Sequence, residues 1–335
     1  MKTNLIIVAI IFIAFSFGGC TTKRKFDYKV TVVPQTYNSV TTPGDVNKAA
    51  EVINKRLNYF FSIPQNSIKI DVTENQISLT ISKIDTSLID RIKTLITGYH
   101  KLEFWETYEN KEVIEYLTQA NSLPGKSNLI NEVDDLTRKE FNRQNPLFGI
   151  LIPRVTANGQ PLPSCLIGLA ALKDTAKVNS YLKMSDVKAL FPGALRFFWS
   201  HNPYKYDKTK SLYELHAIKV TASNKQAPLD GSVIISAKTT SGSVNSVVKI
   251  DLTMDSDGAK TWAGITRENI NRCIAVIYDG HVRSYPRVMN EISGGNTEIT
   301  GDFTIEEANE IVNILKSGEL PFELKIVEEQ IIKRE

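Results

Sequence analysis

The sequence predicts an α+β fold built from two halves of the same element order, with a differently composed subdomain inserted between them. Three observations carry that prediction. Segments that alternate β-branched residues and segments with helical apolar spacing follow one another as strand, helix, strand, strand, helix, strand over residues 28–107. The same order returns over residues 247–327. Between them, about residues 109–245 hold most of the prolines, a polar segment near 127–145 and only short helical patterns, at 175–182 and 185–190.

The first half opens with a strand at 29–33. Thr42, Pro43, Gly44 and Asp45 read as an N-cap followed by proline in the first helical turn. Val46, Ala49, Ala50, Ile53, Leu57 and Phe60 then fall on one helical face. Residues 67–72 and 76–82 make a strand pair around Glu74 and Asn75. Leu88, Ile89, Ile92, Leu95 and Ile96 give a second amphipathic helix closed by Gly98, and residues 100–107 are expected to complete the unit as its last strand.

In the second half a strand at 247–253 precedes Asp255 and Ser256, which can cap a helix carrying Ala259, Trp262, Ala263 and Ile265. Strands at 273–278 and 281–288 flank Asp279-Gly280, the strongest hairpin signal in the chain. Thr304 and Glu307 form a capping box. It opens a helix with Ile305, Ala308, Ile311, Val312 and Leu315 on one face, ended by Gly318, before a last strand at 322–327. This is the ferredoxin-like βαββαβ order, present twice. Two such halves are expected to form a base with a common sheet platform and helices on one face.

The N-terminus reads as a leader. Lys2 precedes an apolar run over residues 5–17, interrupted by Ser16, and Gly18-Gly19-Cys20 ends it. The run is shorter than the about 20 residues a helix needs to cross a bilayer, so it fits a signal-peptide core. The small-small-Cys ending resembles the lipobox of bacterial lipoproteins, with Phe17 in place of the usual leucine; an uncleaved signal-anchor is the alternative. The resemblance implies cleavage before Cys20 and lipidation of its sulfur, each buried methylene contributing roughly 0.8 kcal/mol to anchoring. The expected location is the cell envelope, facing the periplasm. Thr21, where an aspartate would retain the protein, favours the outer membrane, and inner versus outer stays open.

The remaining cysteines, Cys165 and Cys273, stand about a hundred residues apart outside any metal-type spacing, and read as buried, inert thiols. With 42% hydrophobic and 23% charged residues and a net charge of +3, the 335-residue chain can bury a sizeable core but has no basic stripe for nucleic acid.

Catalytic constellations are absent from the sequence. His100, His201, His216 and His281 are scattered, and neither a nucleophile elbow nor a phosphate-binding loop with lysine occurs. Gly294-Gly295-Asn296 reads as a tight turn, and Asp255, Asp257, Glu306 and Glu307 read as helix caps. The expectation is a non-enzyme with no catalytic residue, cofactor or metal. Two aromatic clusters remain: Phe104 and Trp105 with Tyr108, and Phe197, Phe198 and Trp199 with Tyr204 and Tyr206. Adjacent aromatics on a strand point to opposite faces, so each cluster either lies between two covering layers or exposes one ring. The first fits the covered arrangement better. In the second, Phe197, Phe198, Trp199 and Tyr204 are the candidate polypeptide-binding residues.

The segment Lys101-Leu102-Glu103-Phe104-Trp105-Glu106-Thr107-Tyr108-Glu109-Asn110 closely resembles the one that closes the first half of the periplasmic P1 base in SecD and fused SecDF proteins. Leu252-Thr253-Met254-Asp255 through Trp262 is similar to that family's second-half helix, and residues 274–286 to its hairpin. Ile292-Ser293-Gly294-Gly295-Asn296, Ile299-Thr300-Gly301-Asp302-Phe303-Thr304 and Leu315-Lys316-Ser317-Gly318 follow the family pattern. Residues 173–178 and Leu190-Phe191-Pro192 resemble the head subdomain of fused forms. The resemblance covers about residues 29–330 and departs at Phe60-Phe61-Ser62-Ile63-Pro64 and around Lys83-Ile84, where the family carries Gly-Val-x-Glu-Pro and Pro-Gly.

Taken with the lipobox, the resemblance implies a signal peptide at 1–19, a tether at 20–27, a P1-like base in two halves at 28–108 and 245–330, an inserted head at 109–244 and a tail at 331–335. It implies an envelope lipoprotein that binds unfolded or translocating polypeptide as a non-enzymatic accessory to export. Family members continue into membrane helices that couple proton flow to export; a chain ending at Glu335 is expected to lack that channel. The alternative is a structural or regulatory module that docks to the SecDF/SecYEG translocon or another envelope complex.

Overall fold

The computed structural model describes residues 25–35, 42–123, 136–221, 226–241 and 248–333. The leader and Cys20 lie outside the described residues. The α+β class is as expected. The first part comprises β1 (Phe26–Pro34), α1 (Pro43–Phe61), β2 (Ile68–Val72), β3 (Ile77–Ile84), α2 (Ile89–Thr97) and β4 (Leu102–Glu106). The middle holds α3 (Asn110–Asn121), α4 (Leu136–Gln144), β5 (Ile152–Pro153), β6 (Leu166–Ala171), α5 (Leu172–Leu182), α6 (Ser185–Lys188), β7 (Leu195–Pro203), β8 (Leu212–Lys219), β9 (Leu229–Asp230) and β10 (Ile234–Ser241). The last part comprises β11 (Val248–Met254), α7 (Ser256–Glu268), β12 (Ile274–Tyr278), β13 (His281–Ser284), β14 (Asn296–Thr300), α8 (Ile305–Ser317) and β15 (Leu324–Lys333). No described helix is long and apolar enough to cross a membrane.

Local chemistry sets these boundaries. Thr42 Oγ1 accepts from the Asp45 N–H while the Asp45 carboxylate accepts from the Thr42 N–H, 3.2 and 2.9 Å apart, a reciprocal cap on α1. Asp255 accepts from the N–H groups of Asp257 and Gly258 at the start of α7, and Thr304 and Glu307 repeat the capping box on α8. Each such cap stabilises its helix by about 1 kcal/mol. Asp279 and Gly280 adopt φ of 50° and 72° between β12 and β13, the left-handed pair a two-residue hairpin turn requires. Gly295, with φ of 67°, turns the chain beside Ala259, and its carbonyl accepts from the Met254 N–H at 2.8 Å. The segment is a turn, as its glycines predict.

The halves do not share one platform. The described strands form three sheets, ordered β15-β1-β3-β2, β10-β11-β14 and β5-β6-β8-β7-β13-β12-β4-β9. In the first, α1 and α2 cover one face and enclose Tyr28, Val30, Val32, Ile53, Leu57, Leu79 and Ile92. Its fourth strand is β15, which pairs with β1 from Phe26 opposite Lys333 to Pro34 opposite Leu324.

Residues 100–107 were expected to fill that place. Instead β4 crosses into the large sheet and pairs with β12, Leu102 opposite Tyr278 and Glu106 opposite Ile274. The reason lies in the two sequences. β4 is apolar on both faces: Phe104 packs against Trp262 at 5.2 Å, and Trp105 turns the other way onto Ile218, Ala275 and Ile277. Such a strand needs cover on both sides. β15 is exposed along most of its length and carries Lys325, Glu328, Glu329 and Gln330, charged and polar side chains that suit a sheet edge.

The large sheet joins strands from the middle of the chain to strands from its last part. β5, β6, β8 and β7 are antiparallel, with a core of Val113, Leu117, Ile167, Val178, Tyr181 and Leu215 beneath α3, α5 and α6. β7 then meets β13 at Ser200 opposite Val282. β9 and β10, within residues 109–244, pair with β4 and β11. Cys165 and Cys273 are both buried, at the starts of β6 and β12.

Candidate functional site

Strand β7 carries the aromatic run that the sequence marks out. On one side it pairs with β8, Leu195 opposite Lys219 through Trp199 opposite Leu215. On the other side its pairing with β13 is confined to Ser200, so among the described residues no strand pairs with residues 195–199 along that edge. A row of main-chain donors and acceptors on a strand edge is a template for an added strand.

A cleft of about 570 Å³ runs beside that edge. Leu182 at the end of α5, Phe191, Pro192, Phe197 and Phe198 supply its apolar lining, and Lys183, Lys188 and Arg196 supply its charge. None of the lining residues is acidic. Phe197 stands edge-on to Phe191 at 5.2 Å, and Phe191 in turn packs on Tyr116 at 6.0 Å. Phe198 turns to the opposite face of the sheet, toward Ile218, Ile277 and Val282, as strand alternation requires. Because successive residues on opposite faces both line the cleft, it reaches the strand edge itself. The Arg196 guanidinium is fixed there, donating through Nη1 to the carbonyls of Gly193 and Leu195 at 2.7 Å each.

The four candidate residues therefore separate. Phe197 and Phe198 line the cleft. Trp199 packs on the core beneath α5, where its Nε1–H donates to Asn179 Oδ1 at 2.9 Å. Tyr204 lies past the end of β7, against Tyr206 at 5.4 Å and under the Arg154 guanidinium at 5.6 Å. In the first aromatic cluster Phe104 and Trp105 are both buried, one on each face. The sequence did not single out Lys183, Lys188 or Arg196, since isolated cations just past α5, on α6 and on a strand carry no motif.

A second polar cluster joins the two units. Arg56 is fully buried on α1 and donates to the carbonyls of Leu95, Gly98 and Tyr99 at 2.7, 2.8 and 3.3 Å, capping the end of α2. Burial pulls its guanidinium down to about 10. Nearby, His100 Nδ1 lies 2.7 Å from an Asp279 carboxylate oxygen and 3.3 Å from the Tyr278 hydroxyl. Arg56 had a readable signal, a charge three residues after Ile53 and four before Phe60 within an apolar stripe. Its bonds make it a structural clamp. Among the described residues, no three His, Cys, Asp or Glu side chains gather to hold a metal.

Residues 209–322 match the family described as SecDF, P1 head subdomain, a span running from β8 into the loop before β15. Protein translocase subunit SecD of Calditerrivibrio nitroreducens is 34% identical over 313 residues, covering 87% of this chain and 56% of that protein. The SecD subunit of Rhodothermus marinus is 28% identical over 305 residues, covering 86% and 46%. The chain thus spans about half the length of these two relatives. Among solved structures, the crystal structure of SecDF in super-membrane-facing form aligns with a TM-score of 0.50 at 19% identity, covering 92% of this chain and 30% of that one, which shows the shared fold. Relatives matched over most of its length and the P1 head match together make this chain a SecD/SecDF P1-domain protein.

Proposed function

We propose that this chain holds unfolded or translocating polypeptide in extended form, as a non-enzymatic accessory to protein export in the bacterial cell envelope. The observation that carries the reading is the edge of β7 at residues 196–199, with which no described strand pairs, beside the Phe191–Phe197–Phe198 cleft. Main-chain bonds to the edge supply sequence-independent affinity, and the aromatic rings take apolar side chains in alternate positions. The relatives' name, protein translocase subunit, supports a client in transit. In this reading Cys20 bears the lipid that holds the domain at the membrane, and the domain's own role is binding, with no proton step.

The test is fluorescence anisotropy with a labelled, permanently unfolded peptide of alternating apolar residues. Phe198→Ala should weaken binding about tenfold, as truncation of a central aromatic anchor does. Binding unchanged in a folded Phe197→Ala, Phe198→Ala double variant would sink the assignment. Crosslinking in cells that recovers translocon subunits and no client would favour a docking module instead.

A further inference from the structure

The two cysteines of the described chain, about a hundred residues apart in sequence, meet in the interior. Cys165 immediately precedes β6 and Cys273 immediately precedes β12, so one belongs to the insertion and the other to the last part of the chain. Residues 107–110 run between their two strands and are bonded to both. Thr107 Oγ1 donates to the Cys273 carbonyl at 2.9 Å, and the Asn110 N–H donates to the Ser164 carbonyl at 2.7 Å. The far side of Cys165 is held by His216, whose Nδ1 lies 3.2 Å from its carbonyl oxygen. Held at this junction, the two thiols are free and buried, and each shifts the other's proton affinity. No third ligand accompanies them among the described residues, so the pair does not make a zinc site, which takes four.

We infer that Cys165 and Cys273 form an intrachain disulfide that staples the inserted subdomain to the β12–β13 hairpin. The oxidant is a disulfide donor, R–S–S–R, of the kind an exported chain meets. The Cys273 thiolate attacks one donor sulfur and expels R–S⁻, forming a mixed disulfide. The Cys165 thiolate then attacks the Cys273 sulfur and expels the second R–S⁻. Two electrons pass to the donor, and the two thiol protons end on two R–SH molecules. The pair's electrostatics set the order of attack: the Cys165 side chain holds the Cys273 thiol below its ordinary value, with Arg287 adding its charge from the paired position. The same pairing, and burial, push Cys165 up. Both side chains are closed to solvent, so exchange takes place while the chain folds or during local opening of the junction.

The staple sits where the sheet passes from one part to the other, beside the bridge of Thr107 to Ile218. Closing so long a loop restricts the unfolded chain strongly. Peptide binding plays no part in this, so the two readings fail separately.

The experiment compares the full chain refolded with reduced thiols and refolded in oxidised glutathione. Free thiols are alkylated under denaturing conditions before proteolysis and peptide mass mapping. The expected result is a linked pair of peptides containing Cys165 and Cys273, lighter by two hydrogens and separated by dithiothreitol. The oxidised chain should also melt roughly 5 °C or more above the reduced one. Both thiols still free, a glutathione adduct on either, or either one paired to Cys20 would overturn the inference. A linked pair with no rise in melting temperature would overturn the staple.

Discussion

The hydroxyl of Tyr28 donates to a carboxylate oxygen of Glu329 at 3.1 Å, joining β1 to β15 across 301 positions of sequence. The first and last described strands of the chain are thus neighbours, and the first sheet is complete only when the C-terminal strand has arrived. Each unit takes one strand from beyond its own stretch of sequence: β15 closes the first, and β4 lies against the hairpin of the second.

That exchange predicts a long-range effect of truncation. A chain ended before Leu324 leaves the inner edge of β1 unpaired along its whole length, and the loss should spread to β2 and β3. Limited proteolysis should then cut within residues 26–84 as readily as near the new end. Tyr28→Phe should cost only about 1 kcal/mol, the worth of one part-buried hydrogen bond. A truncated chain whose first sheet keeps its protease resistance would show that β15 is not needed to close it.

The element order was legible in the sequence because it depends on local pattern: apolar period, caps at Thr42, Asp255 and Thr304, and the Asp279-Gly280 turn. Strand partnership was not, because residues 100–107 and 324–333 both read as closing strands and nothing local says which sheet each one joins. The deciding feature, the apolar character of both faces of β4 at Phe104 and Trp105, was visible. By itself it implies only that both faces are covered, and it carries no register. The candidate site was legible at Phe197 and Phe198. Its cations and its open edge were not, since an unpaired edge is a property of the assembled sheet.

Trp199 and Phe198 should separate in mutation, although they are adjacent. Trp199→Ala removes a ring packed on the core beneath α5 and leaves Asn179 Oδ1 without its donor, so the urea midpoint should fall, by about 2–3 kcal/mol of stability. Phe198→Ala should act on peptide affinity more than on stability. If Trp199→Ala folds as stably as the parent chain and loses peptide binding, then the ring faces the ligand and the placement of the site is wrong.

Client charge should matter. With Lys183, Lys188 and Arg196 around the cleft and no acidic residue lining it, a peptide carrying glutamates beside its apolar residues should bind more tightly than a lysine counterpart. The difference should shrink between low and physiological salt, as exposed charges are screened over about 8 Å at 0.15 M. Lys188→Glu with Arg196→Glu should invert the preference. Anisotropy titrations of the two peptides at two salt concentrations decide it; equal affinities throughout would leave the cations without a role in binding.

Glu319 makes stability depend on pH in a direction opposite to most carboxylates. Burial pushes its carboxyl up to about 7, Asp230 and Glu103 add like-charge repulsion, and Lys101 and the Gly231 N–H oppose them. One oxygen, Oε1, has no hydrogen-bond partner. In the unfolded chain the group has its ordinary value of 4.5. Between those two values the folded protein keeps a proton that the unfolded chain has released, so this residue's contribution falls as pH rises from 4.5 to about 7. Below that window both states are protonated and the penalty is absent; above it the charged carboxylate is held in its buried site at full cost. Glu319→Gln should therefore match the parent chain in urea unfolding at pH 4 and exceed it at pH 8. An advantage of equal size at both pH values would mean that the change acts through packing, and that Glu319 is not held protonated by its surroundings.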